Sequence, residues 1–230
     1  MFILVQADDY TAYHALLGQM YRLRKKVFHD DLGWDVGIRG DAEIDSYDDL
    51  KPAYLLWTND SADVLIGSLR LMPTMGPTLL NDVFRATYPD GMDLCHPRIW
   101  EGTRMCVDMD RLPEIHPGMS GQTAMCLMLL ALGECALANG IETLVSNYEP
   151  HMRRIYQKSG AELDEIGRSD TFGKRPVCCG LFRVDEEVLG RMRKALALQG
   201  VPLTPFRDPA PHGRRRWMAR NSGGVMAHAA

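Results

Sequence analysis

The longest apolar run in the chain, residues 123–138, is the feature that most constrains the fold. It carries a single charged residue, Glu134, and it is shorter than the about 20 residues that a helix needs to span a bilayer. A helix that is apolar on all sides must be covered by other elements of the protein. We therefore expect a buried central helix and no insertion into a membrane.

Segments on both sides of this helix have the patterns of short strands and amphipathic helices. Strands are predicted at residues 2–6, 53–57, 64–72, 99–107, 141–146, 161–166 and 177–184. Helices are predicted at residues 10–28, 79–84 and 150–159, with Ser120 as the cap of the central helix and Asp185 as the cap of a last helix. This order predicts one α/β or α+β domain with a mixed sheet flanked by helices.

The chain has 230 residues, and we place this domain at residues 1–198. Residues 199–230 are rich in Pro, Gly and Arg without periodicity, which predicts an irregular C-terminal extension. A basic and aromatic cluster at residues 214–217 leaves open a module that binds nucleic acid. The net charge of −4 gives that alternative no general support, so we expect no nucleic-acid partner.

The six cysteines occur without a C-x-x-C pair and without any spacing typical of metal ligands. We therefore expect no metal site. Cysteines of this kind, in a chain without a recognisable secretory signal, favour a reducing compartment, and we expect the protein to be cytoplasmic.

Charged and aromatic residues near the first predicted helix could carry chemistry. Arg24 lies four residues from both Met20 and Phe28, so it falls on or beside the apolar stripe of that helix, where a charge needs a partner. It could lie along the edge of the core, or it could pair with an anionic group. After Trp34, residues 43–48 place three acids within six positions. The three acids could form a solvated loop, or Asp45 and Asp48 could recognise a cationic ligand beside aromatic faces.

The predicted strand at residues 99–107 carries Glu101 and Arg104, which a regular strand would place on opposite faces. A bulge at Gly102 would turn one of the two side chains toward the other face. The pair could be structural. Glu101 could also act as a general base, provided that its surroundings raise its pKa toward neutral pH.

The predicted helix at residues 150–159 is basic on one side, where Arg153, Arg154 and Lys158 lie. A solvated helix face would have the same composition. The alternative is a docking surface for an acidic partner.

Taken in order, these residues resemble the acyl-homoserine-lactone synthases of the LuxI type. The resemblance covers residues 24–104 and rests on Arg24, Phe28, Trp34, the stretch E-I-D-S-Y-D at 43–48, the strand G-S-L-R-L-M-P at 67–73, and the pair Glu101-x-x-Arg104. It implies an N-acetyltransferase-like, three-layer fold with a mixed central sheet flanked by helices. It also implies an acyltransferase that joins the amine of S-adenosylmethionine to an acyl thioester and then closes the lactone with release of methylthioadenosine.

The resemblance also implies roles for individual residues. The S-adenosylmethionine site would be formed by Arg24, Phe28, Trp34, Asp45 and Asp48. Glu101 would be the base, with Arg104 supporting it. The acyl cleft would include Arg70, Phe84 and Ser146. The basic surface of Arg153, Arg154 and Lys158 would receive an acyl carrier protein or the phosphates of coenzyme A.

S-adenosylmethionine is a substrate of this reaction, so no cofactor is expected. The alternative within the same fold is an N-acyltransferase that acts on a different amine.

Overall fold

A computed structural model gives the structure of the protein and describes residues 1–173 and 175–200. These residues contain nine strands: β1 (Phe2–Val5), β2 (Ile38–Arg39), β3 (Ala42–Glu43), β4 (Ala53–Thr58), β5 (Leu65–Pro73), β6 (Ile99–Val107), β7 (Thr143–Tyr148), β8 (Leu163–Ser169) and β9 (Val177–Arg183). The α-helices of the described part are α1 (His14–Arg24), α2 (Leu79–Asp82), α3 (Leu112–Ile115), α4 (Gly121–Ala138), α5 (Arg153–Ser159) and α6 (Glu186–Ala197).

Seven strands form one mixed sheet in the spatial order β1-β4-β5-β6-β7-β9-β8. All neighbouring pairs are antiparallel except β6 and β7, which are parallel because α4 connects them as a crossover. Their pairing runs from Ile99 opposite Thr143 to Glu101 opposite Val145 and ends there, although both strands continue. A gap therefore opens in the middle of the sheet immediately after Glu101. The predicted mixed sheet with flanking helices is confirmed.

Helix α4 lies in the core on one face of the sheet, as the apolar run predicts. Eleven of its residues are buried, and it packs with α5 and α6. By length and composition α4 is the one helix in the described part that could cross a membrane, but 61% of it is buried inside the fold. The hydroxyl of Ser120 caps it by accepting a hydrogen bond from the backbone N–H of Thr123 at 3.1 Å.

The predicted helix at residues 10–28 differs from the structure at both ends, since α1 begins at His14. Regular α1 ends at Arg24, and the chain continues through a π-helical segment, Lys25–Asp31. Such wider turns are frequently found at functional sites. This segment carries Phe28 on the face of the sheet opposite α4, where α1 packs.

The C-terminal extension at residues 199–230 stays a prediction. Helix α6 ends at Ala197, and residues 201–230, with the basic cluster at 214–217, lie outside the described residues.

Candidate active site

Three arginines and three carboxylates form a network of ion pairs on the α1 face of the sheet. They are Arg24, Arg70, Arg104, Glu43, Asp45 and Asp48. Arg24, Arg70 and Glu43 have no exposed surface. Charges so deeply buried are stable only when they are paired and hydrogen-bonded. The numbers of positive and negative groups are equal, so the network is formally neutral.

Asp48 lies at the centre of this network. Its carboxylate accepts two hydrogen bonds from the guanidinium of Arg24, at 2.8 and 2.9 Å, one from Arg70 at 3.0 Å and one from the hydroxyl of Tyr54 at 2.6 Å. Burial by itself raises the pKa of Asp48, but the hydrogen bonds and positive charges of Arg24 and Arg70 outweigh burial and hold that pKa well below its usual range. Asp48 is therefore ionised at neutral pH.

Arg104 enters the network through an irregularity in β6. Ser68 pairs with Cys106, whereas Arg70 pairs with Thr103, so β6 has one extra residue between these pairs. Arg104 itself has a left-handed backbone, with φ of 55°. The bulge predicted at Gly102 is wrong in position, because Gly102 keeps regular pairing with Leu71.

The bulge changes the direction of the Arg104 side chain, as bulges near active sites commonly do. Its guanidinium bonds to Glu43 at 3.1 Å and to Asp45 at 3.0 Å. In a regular strand this side chain would face away from the network.

Two aromatic rings lie beside the arginines. Phe28 and Trp34 stack with their ring centres 5.2 Å apart, and the guanidinium carbon of Arg104 lies 5.6 Å from the centre of the Phe28 ring. Phe28 is buried, whereas Trp34 is 38% exposed. The structure thus brings together five of the predicted ligand-binding residues: Arg24, Phe28, Trp34, Asp45 and Asp48.

Glu101 is fully buried where β6 and β7 separate. Its two carboxylate oxygens accept hydrogen bonds from the backbone N–H groups of Leu79, at 3.2 Å, and Leu80, at 2.6 Å, at the start of α2. Burial raises the pKa of Glu101 to about 7, against the lowering effects of the Leu80 amide, Arg70, the Leu79 amide and Arg104. A carboxyl group with this pKa can take up and release a proton at neutral pH.

Sequence reasoning missed four residues of this site: Glu43, Tyr47, Tyr54 and Thr103. Glu43 belongs to the same acidic run as Asp45 and Asp48, so the run gave a signal that could have found it. Tyr47 lies over Arg70, with its ring centre 5.6 Å from the guanidinium carbon, and its hydroxyl donates to Asp82 of α2 at 3.1 Å. Thr103 accepts a hydrogen bond from Arg70 Nε at 3.0 Å.

The three residues predicted for the acyl cleft lie in separate places. Arg70 belongs to the ion-pair network. Phe84 follows α2 and packs edge-to-face on Phe172, with ring centres 5.0 Å apart. Ser146 donates a hydrogen bond to the carbonyl of Gly102 at 2.8 Å, across the start of the β6–β7 gap. Gly102 faces Leu132 of α4, so Ser146 lies next to the core helix and Arg70 lies on the opposite face.

The basic residues predicted for docking are exposed on α5. Lys158 donates a hydrogen bond to Gln122, in the first turn of α4, at 2.6 Å. Arg153 lies 3.4 Å from the carboxylate of Glu165, and Arg154 extends into solvent. In the part of the chain that the structure describes, no group of three His, Cys, Asp or Glu residues could hold a metal ion.

The fold and the site together define a class. Two parallel strands of the mixed sheet separate beyond Glu101, and a buried carboxyl with a pKa of about 7 can accept a proton from an amine. A proton acceptor beside an opening in the sheet suits acyl transfer to an amine, and the protein is an acyltransferase with a mixed sheet flanked by helices.

Comparison with known proteins defines the family. The sequence profile of the autoinducer synthases matches residues 8–192, and the chain belongs to this family. An acyl-homoserine-lactone synthase of Agrobacterium fabrum is 32% identical over 183 residues, which cover 80% of this chain and 86% of that protein. One of Rhizobium etli is 36% identical over 153 residues, which cover 66% of this chain and 69% of that protein.

Solved structures show the same fold. A CoA-dependent acyl-homoserine lactone synthase with SAM and isopentyl-CoA superposes with a TM-score of 0.79 at 23% identity, over 96% of this chain and 98% of that chain. A second AHL synthase superposes with a TM-score of 0.71 at 25% identity, over 90% of this chain and 98% of that chain.

Proposed function

We propose that this protein makes an N-acyl homoserine lactone, a quorum-sensing signal, from S-adenosylmethionine and an acyl thioester. The observation that carries the proposal is the position of Glu101, buried beside the ion-pair network at the point where β6 and β7 separate. Curated relatives with this activity support the choice of substrates. S-adenosylmethionine is consumed in the reaction, so no separate cofactor is required.

The reaction has two steps. The amine of S-adenosylmethionine, which is protonated in water, loses a proton to Glu101 directly or through a water molecule. The amine nitrogen then attacks the thioester carbonyl, the new C–N bond forms and the C–S bond breaks. The nitrogen loses a second proton as it becomes an amide, and the leaving thiolate takes up a proton and departs as the carrier thiol. We propose that backbone N–H groups at the bulge around Arg104 stabilise the negative oxygen that develops on the carbonyl. In the second step the carboxylate attacks its own γ-carbon, and methylthioadenosine leaves.

The direct test uses the purified full chain with S-adenosylmethionine and a panel of acyl-CoAs and acyl carrier proteins. We expect release of methylthioadenosine together with a lactone that mass spectrometry identifies by its protonated homoserine-lactone fragment. An amide product without methylthioadenosine would instead indicate an N-acyltransferase for another amine. Comparison of the two kinds of donor decides between coenzyme A and acyl carrier protein.

Phe28 and Trp34 are proposed to cover the positively charged sulfonium of S-adenosylmethionine, since a cation gains about 0.5–2 kcal/mol against an aromatic face. Trp34→Ala should therefore raise the KM for S-adenosylmethionine about 2- to 30-fold, by the same energies. The KM for the acyl donor should stay close to the wild-type value. Steady-state kinetics with each substrate varied in turn measures both constants.

The control for this prediction is Leu32→Ala, because Leu32 is 51% exposed on the same segment. It should leave both KM values unchanged. If Trp34→Ala and Leu32→Ala behaved alike, Trp34 would have no part in binding the sulfonium.

The basic face of α5 is proposed to dock the acidic acyl donor. Arg154→Glu should lower kcat/KM for the donor about 3- to 10-fold and should weaken its dependence on ionic strength, because charges at the rim of an interface act mainly on association. Lys194→Glu reverses one exposed charge on α6 and serves as the matched control. Equal effects of the two variants would place docking elsewhere.

We also propose a cytoplasmic location, in keeping with cysteines that are all free, five of them buried and Cys95 exposed.

A further inference from the structure

Two buried polar atoms near Glu101 have no hydrogen-bond partner. In the described residues, the buried side-chain atoms without a partner are Arg70 Nη2, Asn147 Oδ1 and His116 Nε2. Buried polar groups are nearly always hydrogen-bonded, so each exception calls for an explanation. His116 lies away from the site, where its ring stacks on Trp57. The other two atoms flank the candidate base.

Strand register places these groups on one face of the sheet. Glu101 of β6 lies beside Val145 of β7, and Asn147 is two residues further along the same strand, so Asn147 shares that face. Arg70 of β5 lies opposite Thr103, two residues beyond Glu101. Arg70 and Asn147 are therefore two strands apart, and because β6 and β7 have separated at this point, their backbones are at least roughly 10 Å apart. The open part of the β6–β7 gap lies between them.

The orientation of the Asn147 amide is determined by its neighbours. Its Nδ2 donates to Thr87 Oγ1 at 2.8 Å and to the carbonyl of Cys178 at 3.4 Å. Thr87 uses its own proton to bond the carbonyl of Phe84 at 2.6 Å, so it can only accept from Asn147. The oxygen of the amide is therefore held free as an acceptor.

Arg70 is held just as firmly. Its Nε donates to Thr103 at 3.0 Å, and its Nη1 donates to Asp45 at 2.6 Å and to Asp48 at 3.0 Å. Nη2 is left as a fixed donor. Arg70 lies opposite Thr103, two residues from Glu101 on the same face of the sheet, so its free donor belongs to the same site.

We propose that Asn147 is a positioning residue for the nucleophile, and that Arg70 and Asn147 together hold the amino-acid end of S-adenosylmethionine. Nη2 of Arg70 donates to the α-carboxylate, and Oδ1 of Asn147 accepts an N–H of the amine. This inference rests on the proposed function and deepens it. A donor on β5 and an acceptor on β7 fix the orientation of the bound amino-acid group. Its carboxylate faces β5, and its amine lies over the β6–β7 gap.

This arrangement suits the first step of the reaction. After Glu101 takes one proton, the amine still carries two N–H groups and one lone pair. Asn147 engages one N–H, and the lone pair is then free to point at a thioester carbonyl in the gap. Without the acceptor at position 147 the amine could bind with its lone pair turned away, so kcat should fall more than binding does.

The first test compares Asn147→Leu, which removes the acceptor at nearly constant volume, with Asn147→Asp, which keeps one. Titration calorimetry with S-adenosylmethionine and with methylthioadenosine separates the amino-acid end from the rest of the ligand. Asn147→Leu should weaken S-adenosylmethionine binding about 3- to 10-fold, as expected for one hydrogen bond, leave methylthioadenosine binding unchanged, and lower kcat at least about 10-fold. Asn147→Asp should recover part of both losses, because it keeps an acceptor but cannot donate to Thr87 and Cys178.

Two results would overturn the role of Asn147. One is equal weakening of both ligands, which would indicate a structural effect, and the other is wild-type kcat in Asn147→Leu. If Asn147→Leu does not fold, Thr87→Val releases the Asn147 amide without touching substrate. It should lower kcat in the same direction by a smaller factor, and an unchanged kcat would likewise contradict the proposal.

The role of Arg70 is tested on the wild-type protein. Decarboxylated S-adenosylmethionine keeps an amine but lacks the α-carboxylate, so it should bind about 10- to 100-fold more weakly than S-adenosylmethionine. Equal affinities would exclude Arg70 as the carboxylate site. If the wild-type protein bound neither S-adenosylmethionine nor methylthioadenosine, the proposed function itself would fail. Lactone formation that is unchanged by substitution of Asn147 would refute this inference and leave the proposed function standing.

Discussion

Glu101→Gln is expected to lower kcat for lactone formation by about 10²- to 10⁴-fold, the usual contribution of a general base. Glutamine has nearly the same size as glutamate but cannot take the proton of the amine. Its amide NH₂ would also face the N–H groups of Leu79 or Leu80, so one of the hydrogen bonds that begin α2 is lost. The measurement is methylthioadenosine release at saturating substrates, alongside a melting curve.

The matched control is Glu142→Gln, which makes the same change at an exposed glutamate paired with Arg98. It should leave kcat unchanged. Full kcat in Glu101→Gln would remove Glu101 as the base, while the lactone synthase activity could stand with a different proton acceptor.

The pH dependence of kcat gives the same hypothesis a second test. Because burial raises the pKa of Glu101 to about 7, the ionised base becomes more abundant as pH rises through about 7. We expect kcat to rise over that range in the wild-type protein and to lack this rise in Glu101→Gln.

The free energy of unfolding should respond to pH in the opposite direction to kcat. Between about pH 4.5 and 7 the folded state keeps a proton on Glu101 that the unfolded state has lost. The free energy of unfolding therefore falls as the pH rises through this window.

Arg24→Met is expected to lower the free energy of unfolding by about 3–5 kcal/mol, the usual cost of leaving a buried charge without its partner. Arg24 makes two hydrogen bonds to Asp48 and one to Glu43, and none of these three side chains is appreciably exposed. Methionine fills the volume of the arginine stem but leaves an excess of negative charge inside the protein. Equilibrium unfolding in urea, followed by tryptophan fluorescence, measures the loss.

Arg22→Met is the matched control, since Arg22 lies two residues earlier on the same helix and is exposed. It should change the free energy of unfolding by no more than about 0.5 kcal/mol. Similar losses in the two variants would mean that the ion-pair network adds little to the stability of the fold.

The sign of the acid response of this network follows from Asp48. Its pKa is lowered in the folded state, so its stabilising contribution is present above the unfolded pKa of 3.8 and is lost as pH falls toward the folded value. The difference in stability between the wild-type protein and Arg24→Met should therefore shrink below about pH 4. A difference that stayed constant down to pH 3 would contradict the role given to Asp48.

Structural features that depend on residues close together in the sequence were predictable from the sequence. The apolar run at residues 123–138 predicted a buried helix, and Ser120 predicted where it begins, because a cap bonds an N–H only three residues away. Asp185 caps α6 in the same way. The acidic run with Trp34 and Arg24 identified the side of the molecule that carries the site.

Tertiary structure alone decided how these residues meet. Arg24 and Asp48 are 24 positions apart, and Arg104 and Glu43 are 61 apart, so no local pattern fixes their pairing. The bulge lies at Arg104 instead of Gly102 because register is a property of two strands, β5 and β6, and not of either sequence alone.

Asn147 gave no signal in the sequence, since its place beside Glu101 depends on the parallel pairing that follows α4. Sequence by itself therefore determined the helices, the strands and the chemical groups available to this protein. Their packing decided which charges neutralise each other, and which polar atoms are left for a substrate, because both depend on distances between groups far apart in the chain.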